Sequence, residues 1–342
     1  MRKFTLALTC LLFLSTLLVG SAHAESSRQP VTPEASPEAC ALLAYLYSIS
    51  GTNTLSGQHN QPIYLEVMSN RAAAFGGAWP AVYGQDFGFS PRDTLDSIHL
   101  RQDIVHACIR QHQQGSIVTL MWHAVAPMDD EPAGWRESVQ RKLTDEEWNE
   151  LITPGTPLHE RWKAQVDVVA WYLRQLQQAR VPVIWRPYHE MNGSWFWWGG
   201  RSGPDGYVKL YRMLYDRLVH FHKLNNLLWC FNGNEVREGI LPYAEFYPGH
   251  DTVDILATDV YLSGYDAADY NALIGLGEGR PIALGEVGTL PTPAQLATHP
   301  AWTWFMTWSD LLFSRNKRED VRTLFQSEQV LNRGDYSITP AP

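Results

Sequence analysis

The chain has 342 residues, 45% of them hydrophobic and 18% charged, with a formal charge of −9. Such a length and apolar content support one large domain with a sizeable core, and the acidic balance argues against a nucleic-acid surface. Fourteen Trp and 15 Tyr make an unusual aromatic load, and indole and phenol faces combine an apolar plane with a polar tip, which suits sugar rings.

In chain order, Met1-Arg2-Lys3 precedes an apolar run to about Gly20 and then Ala22-His23-Ala24. A basic start, an apolar stretch and an A-x-A site predict a secretory signal peptide over 1–24, cut near Ala24. The mature protein is then expected outside the cytoplasm, periplasmic or released, and free of the membrane. No later run approaches the roughly 18 apolar residues of a membrane span. Residues 25–36 are expected as a disordered leader, and 37–342 as a single domain. Cys10 leaves with the signal. Cys40, Cys108 and Cys230 fit neither a disulfide framework nor a metal site.

From Ser36 onward, helix and strand signals alternate. Ser36-Pro37-Glu38 reads as a helix start, with Ser at the cap and Pro in the first turn. Strands are predicted at 54–57, 81–84, 117–122, 181–186, 227–231, 255–261, 281–286 and 303–308. Helices are predicted at 96–113, 158–179, 205–224, 267–274 and 319–326. Eight strands separated mostly by helices predict a parallel (β/α)8 barrel, a single α/β domain of the TIM type. Residues 124–157 form a long connection containing a capping-box signature, Thr144-Asp-Glu-Glu147. A βα connection of that length belongs on the face where barrels build their sites.

The ends of these strands gather residues that a core would not choose. The alternation of Ile117, Thr119 and Met121 finishes in His123. That of Ile282 and Leu284 finishes in Glu286, and that of Ile255 and Ala257 in Asp259 and Tyr261. Strand four runs into Arg186, Pro187, His189 and Glu190, followed by Trp195, Trp197 and Trp198. Glu190 and Glu286 then stand at the same end of one barrel. A pair of carboxyls is what glycosidic hydrolysis needs: one protonates the leaving oxygen, the other attacks or activates water. Arg186 and His189 could keep one carboxyl ionised, while apolar indole surroundings raise the pKa of the other. A metal-dependent hydrolase built on His123, His189 and Asp259 is the competing chemistry, but it lacks an H-x-H or H-E-x-x-H spacing. A non-catalytic carbohydrate-binding barrel would need one of the two glutamates missing, and neither is.

The sequence also resembles glycoside hydrolase family 26, whose best-known members are endo-β-1,4-mannanases. The resemblance is carried by Trp185-Arg-Pro-Tyr-His-Glu-Met-Asn-Gly-Ser-Trp-Phe-Trp-Trp-Gly199, Leu284-Gly-Glu-Val-Gly288, Asp259-Val-Tyr261 and Phe305-Met-Thr-Trp308. Weaker support comes from Ser56-Gly-Gln-His59, Val82-Tyr-Gly84 and Leu143-Thr-Asp-Glu-Glu-Trp148, and the likeness runs from about residue 50 to 330. It implies a (β/α)8 barrel and a retaining double displacement without cofactor or metal. It implies Glu190 as acid/base and Glu286 as nucleophile, with Arg186 and His189 beside them and Tyr261 touching the nucleophile. Trp195 and Trp308 match aromatic residues around the cleaved sugar, and His123 a histidine of the same cleft. The implied substrate is a mannan-type polysaccharide cut internally by a monomer. Release of mannobiose from chain ends, or action on xylan or mixed-linkage β-glucan, stays open.

Overall fold

The computed structural model describes residues 28–89, 98–262, 264–265 and 267–340. The expected signal peptide, the first three residues of the expected leader and the start of the helix expected at 96 lie outside the described residues. Strands β1 (Thr54–His59), β2 (Val82–Asp86), β3 (Ile117–Trp122), β4 (Val183–Pro187), β5 (Leu227–Asn234), β6 (Ile255–Val260), β7 (Ile282–Val287) and β8 (Trp302–Thr307) run parallel. Each pairs with its successor, and β1 pairs with both β2 and β8, so the sheet closes on itself. Closure leaves the eight strands no open edge to template aggregation. A two-residue strand, β9 (Val330–Leu331), pairs with the start of β1, below the point where β2 takes over.

Two cores follow from the alternation of side chains. Inside the barrel, Leu55, Val82, Ile117, Ile184, Leu228, Cys230, Ile255, Ala257, Ala283, Trp304 and Met306 pack together. Helix α1 (Pro37–Ile49) adds Ala39, Leu42, Leu43, Leu46 and Ile49 to that cluster and plugs the N-terminal floor. Its first turn is set by Ser36 Oγ, which accepts from the Ala39 N–H at 3.1 Å, and by Pro37. The second core lies between the strands and the outer helices, where Val183, Trp185, Trp229, Leu256 and Leu284 face outward.

The ring of helices departs from the sequence reading between β1 and β2 and again after β4. Helix α2 (Val67–Gly76) lies between β1 and β2, where the weakly apolar sequence gave no helical signal. The helix expected over 205–224 is α6 (Tyr207–Tyr215) followed by a π-helical turn at Asp216–Phe221. Before them, the long connection after β3 carries α3's successor in the chain, α4 (Asp145–Leu151), where α3 is Arg101–Gln113; α5 (Pro157–Gln178) follows. The capping box at α4 is formed as predicted: Glu147 N–H donates to Thr144 Oγ1 at 3.2 Å, and Thr144 N–H to Glu147 Oε2 at 2.8 Å. Helices α7 (Ala267–Gly277), α8 (Pro293–Thr298), α9 (Leu311–Ser314) and α10 (Arg318–Phe325) complete the layer. Among the described residues no helix is long and apolar enough to cross a membrane.

Two expectations are corrected by packing. The leader is not disordered over its described part. Val31 N–H donates to buried Asp254 at 2.7 Å, the Tyr215 hydroxyl donates to Val31 O at 2.6 Å, and Thr32 is buried. The segment is tied down by hydrogen bonds that composition does not reveal. In β7 the simple alternation also fails. Leu284 faces the outer core and Ala283 the inner one, and a register shift against β6 pairs Glu286 with Asp259. The extra residue is Gly285, where a Cβ would collide with the Asn232 side chain. A bulge of this kind re-aims a side chain, and here it turns Glu286 inward. Asp254 also accepts from Trp229 N–H at 2.7 Å, so Asp254→Ala would orphan two N–H donors. We expect a loss of about 2–4 kcal/mol in chemical denaturation and faster proteolysis before residue 36. Unchanged stability would refute that anchoring role.

Candidate active site

All eight strands point their C-terminal ends at one mouth, and the ionisable residues gather there. The end of β4 is conformationally costly: Tyr188 and Glu190 have φ of 48° and 55°, left-handed values that non-glycine residues rarely adopt. The surroundings hold them. Tyr188 turns outward and accepts from Trp162 Nε1 at 3.0 Å, while Glu190 N–H donates to Asn232 O at 2.8 Å. The two reversals send Tyr188 to the outer core and leave Glu190 at the mouth. Its carboxyl accepts from Trp195 Nε1 at 2.7 Å and from Asn234 Nδ2 at 2.9 Å. Both donors are neutral. Burial, and then the nearby Glu286 carboxylate, push its pKa from 4.5 up to about 7, against the pull of those donors.

Glu286 has different company. Arg186 Nη2 donates to Oε1 at 3.0 Å, and the Tyr261 hydroxyl donates to Oε2 at 2.6 Å. Arg186 is fully buried. Its Nη1 donates to Asn232 Oδ1 at 2.9 Å and lies 3.7 Å from Asp259. Asp259 is pushed well above the usual carboxylate range by burial and by Glu286, despite Arg186. Their own burial first, and after it charge that includes the same guanidinium, hold His189 and His59 well below the ordinary histidine value, so both rings are neutral. His123 is fixed differently: its Nδ1 meets Asp86 Oδ2 at 2.6 Å, and its N–H donates to Asp86 Oδ1 at 3.1 Å.

Rings frame the mouth. His59 stacks on Trp308 with centroids 4.0 Å apart and planes 18° apart. His123 meets His189 edge-on at 4.6 Å and Trp135 at 4.9 Å. Trp195 and Trp308 are half-buried, and so offer surface to a ligand. The rest of the expected indole wall is core: Trp197 Nε1 donates to Ala124 O and Trp198 Nε1 to His189 O, both at 2.8 Å. Contacts therefore join every residue singled out from the sequence: Glu286 with Arg186 and Tyr261, Glu190 with Trp195, and His123 with His189 and Trp308. Sequence reasoning missed Asn232, Asn234, Asp86, His59 and Trp135. For the two asparagines a signal existed. They continue the inward alternation of Leu228 and Cys230, past the point where the loss of apolar residues suggested that β5 ends.

The competing metal set does not assemble as proposed. His123 is committed to Asp86. Ligand atoms of His189, Asp259 and Glu286 do lie within 4.8 Å of one another, but the Arg186 guanidinium reaches the same two carboxyls. A dication there would sit against a buried like charge.

A carboxyl that holds its proton to about neutrality, paired with one gripped by a guanidinium and a phenol at the mouth of a parallel barrel, defines a glycoside hydrolase of the (β/α)8 class. The chain belongs to glycosyl hydrolase family 26, whose family model matches residues 31–335. A mannan endo-1,4-beta-mannosidase of Thermothelomyces thermophilus is 36% identical over 315 residues, 87% of this chain and 61% of that one. One from Bacillus subtilis is 28% identical over 374 residues, 99% of each chain. Among solved structures, GH26A from a Muricauda species aligns with a TM-score of 0.85 at 45% identity, covering 90% of this chain and 99% of that one. A GH26-CBM35 beta-(1,4)-mannanase of Podospora anserina aligns at 0.75 and 32%, covering 90% and 68%. The chain spans 61%, 49% and 52% of the length of three curated relatives, the Thermothelomyces protein and two from Piromyces.

The raised pKa of Glu190 has a stability consequence. A carboxyl whose folded value lies above its ordinary one contributes stability that is fully present below about 4.5 and lost as pH rises through about 7. Glu190→Gln removes that loss. The variant should therefore gain on the wild type between about pH 4 and pH 8, by up to about 3 kcal/mol in paired thermal melts. A pH-independent difference would sink the assignment. Trp195→Phe keeps a ring but deletes the indole N–H that lowers the Glu190 pKa. The alkaline limb of kcat/KM should then move upward, and an unmoved limb would show that the bond is idle.

Proposed function

We propose that the protein is a secreted, monomeric, retaining endo-β-1,4-mannanase, with Glu190 as acid/base and Glu286 as nucleophile. The observation that carries this reading is the unequal surroundings of the two buried carboxyls. Glu286, held by Arg186 and Tyr261, attacks the anomeric carbon. Glu190, protonated below about 7, gives its proton to the glycosidic oxygen. It then takes a proton from the water that opens the glycosyl-enzyme. Tyr261 and Arg186 steady the nucleophile before attack and receive its carboxylate after release. Trp308, stacked on His59, and Trp195 provide the walls for the sugar ring. The substrate class, mannan, galactomannan or glucomannan, rests on relatives named as mannan endo-1,4-beta-mannosidases. Secretion rests on the N-terminal pattern of Arg2-Lys3, apolar run and Ala22-His23-Ala24.

The experiment that tests the substrate compares sugars released from mannan, galactomannan, xylan and barley β-glucan. Mixed internal oligosaccharides from the mannans are expected. Mannobiose alone would make the enzyme exo-acting, and preference for xylan or β-glucan would overturn the class. For the mechanism, Glu286→Ala should abolish turnover of every substrate. Glu190→Ala should still cleave dinitrophenyl glycosides, whose leaving group needs no acid, and azide should restore its turnover as a β-glycosyl azide. An α-azide, or an inverted first product by NMR, would reverse the assignment.

A further inference from the structure

Glu235 directly follows β5 and is fully buried, and both its backbone and its side chain reach across to the end of β6. Its N–H donates to Asp259 O at 3.0 Å, and its Oε1 accepts from the Leu262 N–H at 2.8 Å. The two bonds bracket Tyr261. Strand β6 itself ends at Val260, whose carbonyl accepts from the Gly288 N–H at 3.1 Å. Tyr261 therefore stands one residue beyond the strand, where side chains hold the backbone. The peptide joining it to Leu262 is gripped at both ends: its N–H by Glu235, and its carbonyl by Arg315 Nη1 at 3.3 Å. The Arg315 contact is the longer of the two and comes from an exposed residue. Leu262 lends this turn little packing, since it is 71% exposed. What fixes the peptide is a buried carboxyl on an N–H, one of the stronger bonds a side chain makes to backbone. Arg237 Nε stands 3.6 Å from the same Oε1, too far for a competing hydrogen bond.

We propose that Glu235 is a positioning residue for the nucleophile: it sets the backbone from which the Tyr261 hydroxyl reaches Glu286 Oε2 at 2.6 Å. The inference rests on the roles given above to Glu286 and Tyr261. A short O–H bond on Oε2 restricts how the carboxylate can turn, and a reacting group misplaced by about 1 Å loses on the order of 100-fold in rate. The effect of Glu235 passes through one peptide and one phenol. That route has a signature: once the hydroxyl of Tyr261 is gone, Glu235 has nothing left to position.

The test is a double-mutant cycle on dinitrophenyl β-mannobioside, with kcat/KM followed across pH. Glu235→Ala should lower kcat/KM roughly 10- to 100-fold in a protein that still unfolds cooperatively. Glu235→Gln keeps an acceptor for the Leu262 N–H and should recover to within about fivefold of the wild type. In a Tyr261→Phe background, Glu235→Ala should cost less than about threefold more. The alkaline limb set by Glu190 should stay in place throughout. Losses that multiply in the double variant would overturn the proposal, because Glu235 would then act on something other than the phenol. A moved alkaline limb would also overturn it, by routing the effect through neighbouring Asn234 to Glu190. Equal losses in the Ala and Gln variants, or none in either, would do the same. If Glu235→Ala fails to fold, Glu235→Asp gives the same reading, since it keeps a carboxyl but withdraws it from the Leu262 N–H. If Tyr261→Phe alone leaves kcat/KM unchanged, the roles given above fail and this one with them. If Tyr261→Phe is slow and the losses multiply, only the role of Glu235 fails.

Discussion

A guanidinium with no solvent contact sits at the centre of the mouth. Burying a charge costs several kcal/mol unless partners compensate it, and Arg186 has them: Glu286 at 3.0 Å, Asn232 at 2.9 Å and Asp259 at 3.7 Å. Three carboxyls, Glu190, Glu286 and Asp259, crowd together there, and two of them, Glu286 and Asp259, reach that one cation. They cannot all be charged in so dry a space. The cluster resolves the conflict by geometry. Glu286 takes the direct hydrogen bond, Asp259 stands off and is driven well upward, and Glu190 is held by neutral donors and rises to about 7. The positive charge acts on the rings as well, because His59 and His189 are kept neutral partly by Arg186. Much of the site's protonation pattern thus depends on one buried cation and on who stands nearest to it.

That arrangement depends on backbone features as much as on side chains. The bulge at Gly285 lets Glu286 face Arg186, and two left-handed residues let Glu190 leave β4 beside Asn234. Strained turns of this kind persist only where their surroundings over-determine them. Here the long connection after β3 supplies part of that. Trp197 N–H donates to Val139 O and its indole N–H to Ala124 O, so residues 124–139 clamp the segment that follows Glu190. Trp198 closes the turn from the other side through His189 O.

The eight-stranded barrel was legible because buried parallel strands are short apolar runs, and polar residues at their ends break the pattern visibly. Glu190, Glu286, Arg186 and Tyr261 stood out for that reason. Asn234 did not, because a polar residue after an apolar run reads equally well as the start of a loop. Asp86 and His59 end their strands in the same way, and only tertiary pairing reveals Asp86 as the partner of His123. Nor does sequence separate Trp195, which touches Glu190, from Trp197 and Trp198, which pack behind it. All three are indoles within four positions, and their division lies in their partners: Trp195 donates to Glu190, whereas Trp197 and Trp198 donate to the backbone at Ala124 and His189. The leader failed for a related reason: its order comes from Asp254, more than two hundred residues away.

Placing β7's bulge at a glycine has one more consequence. Alternation alone would set Glu286 on the face of Ile282 and Leu284, which lies in the outer core. A carboxyl there would have neither Arg186 nor Tyr261. The space next to Gly285 is filled by Asn232, whose Oδ1 accepts from Arg186. One missing Cβ therefore admits the amide that helps orient the guanidinium, and the irregularity it permits delivers the carboxylate that this guanidinium binds. The bulge, Asn232 and Arg186 form a single mutually dependent unit. Enlarging residue 285 would displace the amide, release the guanidinium and uncouple Glu286 from its charge partner in one step.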